Sequence, residues 1–171
     1  MWTYMPYGPF ASADAMREWI ASVAPSADPL FLAAVGPTGP LGMASFLNVD
    51  EIMRRIELGH IWYAPAAQRT EANTEATYLM LRESFEELGH RRVEWKCDAL
   101  NERSRAAALR LGFTFEGVFR QHMIVKGRNR DTAWFSMLDG DWPAARSAFE
   151  RWLGCDPAAR PPLASFRTAV S

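Results

Sequence analysis

Residues 56–76 read IELGHIWYAPAAQRTEANTEA, and this stretch decides how the rest of the chain is read. Ile56, Leu58, Ile61, Trp62 and Tyr63 give an apolar, aromatic-rich run of the kind that fits a half-buried strand. Pro65 ends it, because proline has no N–H to offer a ladder. Gln68, Arg69 and Thr70 form a loop. From Ala72 a helical period begins, with Tyr78, Leu81, Phe85 and Leu88 on one face. A loop that opens a helix leaves first-turn N–H groups without partners at the positive end of the dipole. With Arg69 beside it, such a junction suits a phosphate or pyrophosphate. The plain alternative is a strand–loop–helix connection that holds no ligand, and these residues alone leave both readings open.

Working outward, Ser12 caps a helix with the stripe Met16, Trp19, Ile20 and Val23. Residues 30–35 and 41–49 read as strands joined by a Gly-Pro-Thr-Gly-Pro hairpin turn. The strand at 54–63 and the helix at 72–88 follow, and Gly89 stops that helix. Val93, Trp95 and Cys97 alternate in a strand at 92–99. Asn101 caps a helix at 102–111, closed by Gly112. A long hairpin follows, 113–125 and 131–138, with its basic turn at 126–130 expected to be a solvated tip. A last amphipathic helix spans 142–153. The division is one domain over 1–153 and a weakly ordered tail over 154–171.

The length of 171 residues fits a single domain, and 49% hydrophobic residues suffice for its core. A net charge of −1 argues against a polyanion binder. The remaining nucleic-acid reading would use Arg91, Arg92, Arg103, Arg105 and the basic turn. Cys97 and Cys155 lack metal or redox spacing, which fits a reduced cytoplasmic setting. His60, His90 and His122 lack zinc spacing, so no metal is expected. No run is long and apolar enough for a membrane span, and the first residues lack signal-peptide character. Trp95 and Trp134 sit in strand patterns as core residues.

Two motifs carry a family resemblance. Gln68 through Ala76, ending in Thr74-Glu75-Ala76, resembles the pyrophosphate loop of the GNAT superfamily of acetyl-CoA-dependent N-acetyltransferases. The branch resembled is that of the ribosomal-protein N-terminal acetyltransferases. The run Asn101, Ser104, Leu111, Gly112, Phe113 is a second match in the right order. The resemblance covers residues 2–153. It implies a single mixed α/β (α+β) domain, with a central, mostly antiparallel sheet flanked by helices. The family's first strand and helix are expected to be missing, which leaves a sheet edge for a partner chain or the tail to cover. A homodimer is the expected assembly.

The resemblance also implies roles. Gln68, Arg69, Thr70, Glu71, Ala72, Asn73 and Thr74 would hold the coenzyme, with acetyl-CoA as co-substrate. Trp62 and Tyr63 would line the acetyl carbonyl, and Asn101 would bond the pantetheine arm. Tyr4, Tyr7 and Phe10 of the aromatic N-terminal segment would line the acceptor pocket; the alternative is that these rings plug a core edge. Many members place a proton-donating tyrosine where Ala108 stands, so Ser104 is the candidate for steadying the leaving thiolate. Glu57 and His60 are the candidate proton acceptors. In a regular strand they face opposite ways, so only one could serve, and Glu57 is taken as catalytic with His60 at the substrate. The amine could instead lose its proton to water. The acceptor would be a small-molecule or peptide amine.

Two departures stand in the loop. Glu71 and Asn73 occupy places where the family has small residues. A carboxylate about 5 Å from a phosphate, at an effective dielectric near 20, costs roughly 3 kcal/mol. If Glu71 faces the phosphates, the chain is a non-catalytic relative with an impaired coenzyme site.

Overall fold

The computed structural model describes residues 2–167. Six strands form one sheet, β1 (Leu30–Gly36), β2 (Gly39–Asp50), β3 (Arg55–Tyr63), β4 (Arg92–Asp98), β5 (Thr114–Val125) and β6 (Arg128–Leu138). Their order is β1-β2-β3-β4-β6-β5. All neighbours are antiparallel except β3 and β4. This is the mixed, mostly antiparallel sheet that the sequence implied, with four helices around it: α1 (Ala13–Val23), α2 (Ala72–Arg82), α3 (Glu102–Leu111) and α4 (Trp142–Leu153).

One face of the sheet holds the core. Ile56, Leu58, Val93, Trp95, Phe135 and Met137 pack there against Leu81, Leu111, Trp142 and Phe149 of α2, α3 and α4. On the other face, Trp19 of α1 sits edge-on against Phe31 of β1. The caps behave as the residues dictate. Ser12 accepts the Ala15 amide at 3.1 Å, Asn101 accepts the Ser104 amide at 3.2 Å, and Gly112 closes α3 at φ +102°. α2 continues into a π-turn, Glu83–Glu87, before Gly89.

Four features depart from the sequence reading. The β5–β6 turn is only Lys126-Gly127, both at positive φ, so β6 begins at Arg128. It is not a free tip, because Lys126 Nζ is held by the carbonyls of Trp2, Tyr7 and Gly8 at 3.0, 3.1 and 2.6 Å. Residues 154–167 are not a loose tail either. Leu163 is 3% exposed within the core, and Arg167 donates to the carbonyls at the end of α3. This segment therefore covers α3 and α4 and does not run along the open edge at β1. The reason is apolar burial: Leu163 and Phe166 find the core cluster within reach. Residues 168–171 lie outside the described residues.

The fourth departure is in β3. Its pairing with β2 slips between Met43 and Ser45, opposite Gly59 to Trp62, and His60 takes φ +51°. A β-bulge adds a residue and shifts the alternation. Ile56, Leu58 and Ile61 face the core, while His60 meets Phe31 on the opposite face. Phe31 pairs with Ser45, and Ser45 lies across from Gly59, so this is the face of Glu57. Glu57 and His60 thus share a side, against the expectation from a regular strand.

Candidate active site

The parallel pairing of β3 and β4 runs only from Arg55↔Arg92 to Leu58↔Trp95. Beyond it the strands diverge, which leaves the β4-facing backbone groups of Gly59 to Tyr63 without a strand partner. The opening has the core helices on one side and the N-terminal aromatic segment on the other.

On the helix side lies a cleft of about 1210 Å³ between the start of α2 and the flank of α3. Gln68, Arg69, Thr70, Glu71, Asn73 and Thr74 line it, as do Arg103, Ala106, Ala107 and Arg110 of α3. Trp152, Pro157 and Arg160 complete it from the C-terminal part of the chain. Of the expected loop residues only Ala72 is not on this lining; its amide is accepted by Thr70 Oγ1 at 3.3 Å. Gln68 ties the loop back to the strand, donating to the Tyr63 carbonyl at 3.0 Å. Arg69 turns the chain at φ +63°. Arg110 donates to Thr74 at 2.9 Å and so joins the two walls.

Four arginines face one carboxylate across this space. That carboxylate, Glu71, makes no cap bond to its helix and is paired with Arg160 at 2.5 Å. The Arg160 Nε atom is buried without a protein partner. A positive cleft at a helix N-terminus with an unspent N–H donor fits a pyrophosphate-bearing cofactor.

Where the cleft nears the strand opening, Ser104 Oγ accepts from Trp95 Nε1 at 3.0 Å. Asn101 uses Oδ1 on the Ser104 amide, and its Nδ2 makes no bond among the described residues. Burial pushes the nearby Cys97 thiol up, which favours its protonated form.

The opposite side is aromatic. Tyr7 stacks on Trp19 at 4.1 Å and on His60 at 5.6 Å, and Trp2 packs on Phe10 and Trp62. Tyr4 donates to the Leu100 carbonyl at 3.0 Å, bridging to the start of α3. Burial lowers the His60 pKa, so its ring is neutral near pH 7. Glu57 is 5% exposed, and its Oε2 receives both Lys96 at 2.6 Å and Asn48 at 2.7 Å. Burial raises its pKa, with Lys96 acting the other way. Among the described residues no group of three or more acidic, histidine or cysteine side chains is placed to hold a metal ion, and no helix is long and apolar enough to cross a membrane.

Known proteins share this fold. Residues 1–114 match the family described as the acetyltransferase (GNAT) domain. The chain belongs to the GNAT family. The crystal structure of a GCN5-related N-acetyltransferase from Brucella melitensis superposes with a TM-score of 0.92 at 42% identity, over 97% of this chain and 78% of that one. The Bacillus subtilis (strain 168) protein named "Putative ribosomal N-acetyltransferase YdaF" is 35% identical over 101 residues, 59% of this chain. The match spans about half of that relative, 55% of its length. Spermidine N-acetyltransferase from Vibrio cholerae, solved with CoA and spermine, shares the fold with a TM-score of 0.67 at 18% identity, over 83% of this chain and 84% of that one.

The sequence named the loop wall of the cleft, Gln68 to Thr74, but gave Arg103 only to a nucleic-acid reading and missed Arg110 and Arg160, and missed Lys96 and Asn48 around Glu57. A lone arginine in a proline-rich segment gives no local signal. Lys96 lies 39 positions from Glu57 and meets it only through the sheet.

Proposed function

We propose that this GNAT protein transfers an acetyl group from acetyl-CoA to a primary amine of a small molecule or a peptide N-terminus. The observation that carries the reading is the joining of two sites through the opening between β3 and β4. A positive cleft lies on one side and an aromatic pocket with a neutral imidazole on the other. Bound acetyl-CoA supplies an acyl group activated as a thioester.

The chain's own residues then have limited tasks. Arg69, Arg103, Arg110 and the start of α2 bind the phosphates. Asn101 Nδ2 donates to the pantetheine arm, and the open backbone edge at Trp62 and Tyr63 orients the carbonyl. Tyr4, Tyr7 and Phe10 exclude water around the amine. His60 takes the amine proton, because it is neutral and near the unpaired edge. Glu57, engaged on Oε2 by Lys96 and Asn48, lies on the same face as His60. Ser104 donates to the thiolate sulfur as it leaves, with Trp95 fixing the hydroxyl's direction.

A direct test is release of free thiol from acetyl-CoA with a panel of polyamines, amino acids and peptides. Amine-dependent release supports the transfer reading. No release with any amine supports the non-catalytic alternative raised by Glu71.

The same reading takes the protein to be cytoplasmic, where its free cysteines stay reduced. We further propose a homodimer. The sheet ends in two edge strands, and β5 exposes Phe115, Val118, Phe119, Met123 and Ile124 along its length. Light scattering at micromolar concentration tests this, and a monomer mass would overturn it.

A further inference from the structure

The C-terminal segment delivers one residue into the cofactor cleft and fixes it there. The Arg160 side chain is 8% exposed. Its Nη2 donates to the carbonyls of Leu153 and Cys155 at 3.3 and 3.0 Å. Its guanidinium lies 4.2 Å from the centre of the Trp152 ring. Its Nε is buried without a partner, and its Nη1 reaches Glu71 on the cleft wall. Arg167 anchors the same segment to the far wall through the Leu109 and Arg110 carbonyls, at 3.2 and 2.7 Å.

The two members of the Glu71–Arg160 pair differ in freedom. Arg160 is packed, stacked and bonded to backbone. Glu71 is 47% exposed and has no other partner among the described residues. A guanidinium N–H donates to a phosphate oxygen as it does to a carboxylate oxygen. An incoming pyrophosphate therefore competes for Arg160, and Glu71 is the member able to turn to water.

We propose that Arg160 is a pyrophosphate ligand of the cofactor cleft, and that Glu71 is its resident counter-ion, displaced when the cofactor binds. The proposal rests on the acetyl-CoA reading and goes beyond it, because the ligand comes from outside the loop and helix that form the anion site. It also accounts for Glu71. The carboxylate that would repel a phosphate instead neutralises a buried arginine until the phosphate arrives.

Calorimetric titration of CoA and of dephospho-CoA into the full chain tests this, with Glu71→Gln, Arg160→Gln and Arg160→Lys beside the wild type. Loss of a charge-assisted bond predicts that Arg160→Gln weakens both ligands equally, by roughly 10- to 100-fold. Arg160→Lys falls between, since a point charge remains without the fork. Glu71→Gln binds both more tightly than wild type. Unchanged CoA affinity in Arg160→Gln, or weaker binding in Glu71→Gln, overturns the proposal while leaving the acetyl-CoA reading intact. An Arg160 effect confined to CoA overturns the pyrophosphate assignment in favour of the 3′-phosphate. Failure of all four proteins to bind CoA overturns the acetyl-CoA reading and this proposal with it. Melting temperatures without ligand check folding, and Glu71→Gln, altered at an exposed side chain, carries the test if Arg160→Gln does not fold.

Discussion

His60 Nδ1 stands 3.3 Å from the Tyr7 hydroxyl, joining a bulged strand to a segment more than fifty residues earlier in the chain. The contact holds the ring through Nδ1, and in the proposed reaction Nε2 is left to take the amine proton. Burial lowers the His60 pKa below its ordinary 6.5. Transfer activity, kcat/KM, should therefore rise with pH as His60 loses its proton and level off above that point. His60→Gln should lose about 10²-fold in kcat/KM and lose this acid limb. If Glu57→Gln removes the limb and His60→Gln keeps it, the proton goes to Glu57.

Lys126 closes the proposed acceptor side by gathering three carbonyls of the N-terminal segment. The lysine is exposed, so the contact is worth roughly 1 kcal/mol after solvent screening. Lys126→Met should raise the amine KM about fivefold and leave the CoA dissociation constant unchanged. Steady-state kinetics beside a binding titration separates the two. An equal change in both would place the effect in the whole fold.

Acid stability should report on Glu116. Arg92 grips its carboxylate with two bonds, at 2.8 and 2.6 Å, and Ser136 adds a third. Its pKa falls from 4.5 to about 2, chiefly through the Arg92 hydrogen bonds. A depressed carboxylate pKa stabilises the fold above the unfolded value, and that gain disappears as pH falls through the folded one. The wild type should lose stability between about pH 4.5 and pH 2 more steeply than Glu116→Gln. Urea midpoints taken across that range measure the difference, and parallel curves would remove the role given to this pair.

The C-terminal segment should behave as part of the domain. Leu163 is 3% exposed among core residues, so Leu163→Ala should cost about 2–5 kcal/mol. Chemical denaturation measures it. A change below about 0.5 kcal/mol, the size of an ordinary surface substitution, would mean the segment is not docked in solution.

Much of the fold was legible because its signals are local. Ser12, Asn101 and Gly112 mark helix ends through their own side chains or backbone, and the alternation of Val93, Trp95 and Cys97 marks a strand that is half core. The family resemblance named the loop residues Gln68 to Thr74, and all of them except Ala72 line the cleft. The β3 bulge was not legible, since one extra residue in a strand needs no distinctive sequence and shows only in the slip against β2.

By itself, the sequence determined the order of strands and helices, the strand–loop–helix junction at the α2 entrance and the aromatic character of the N-terminal segment. These follow from short-range periodicity, capping and residue type. Tertiary structure alone decided that Glu57 and His60 share a face, that Lys126 holds the N-terminal segment and that Arg160 answers Glu71. Each of those depends on residues far apart in the chain. Glu71 and Arg160 are separated by 89 positions, and their contact exists only because the burial of Leu163 carries the C-terminal segment back across the helices. Local chemistry announces what a segment can form, while apolar burial over long sequence distances chooses which charges finally meet.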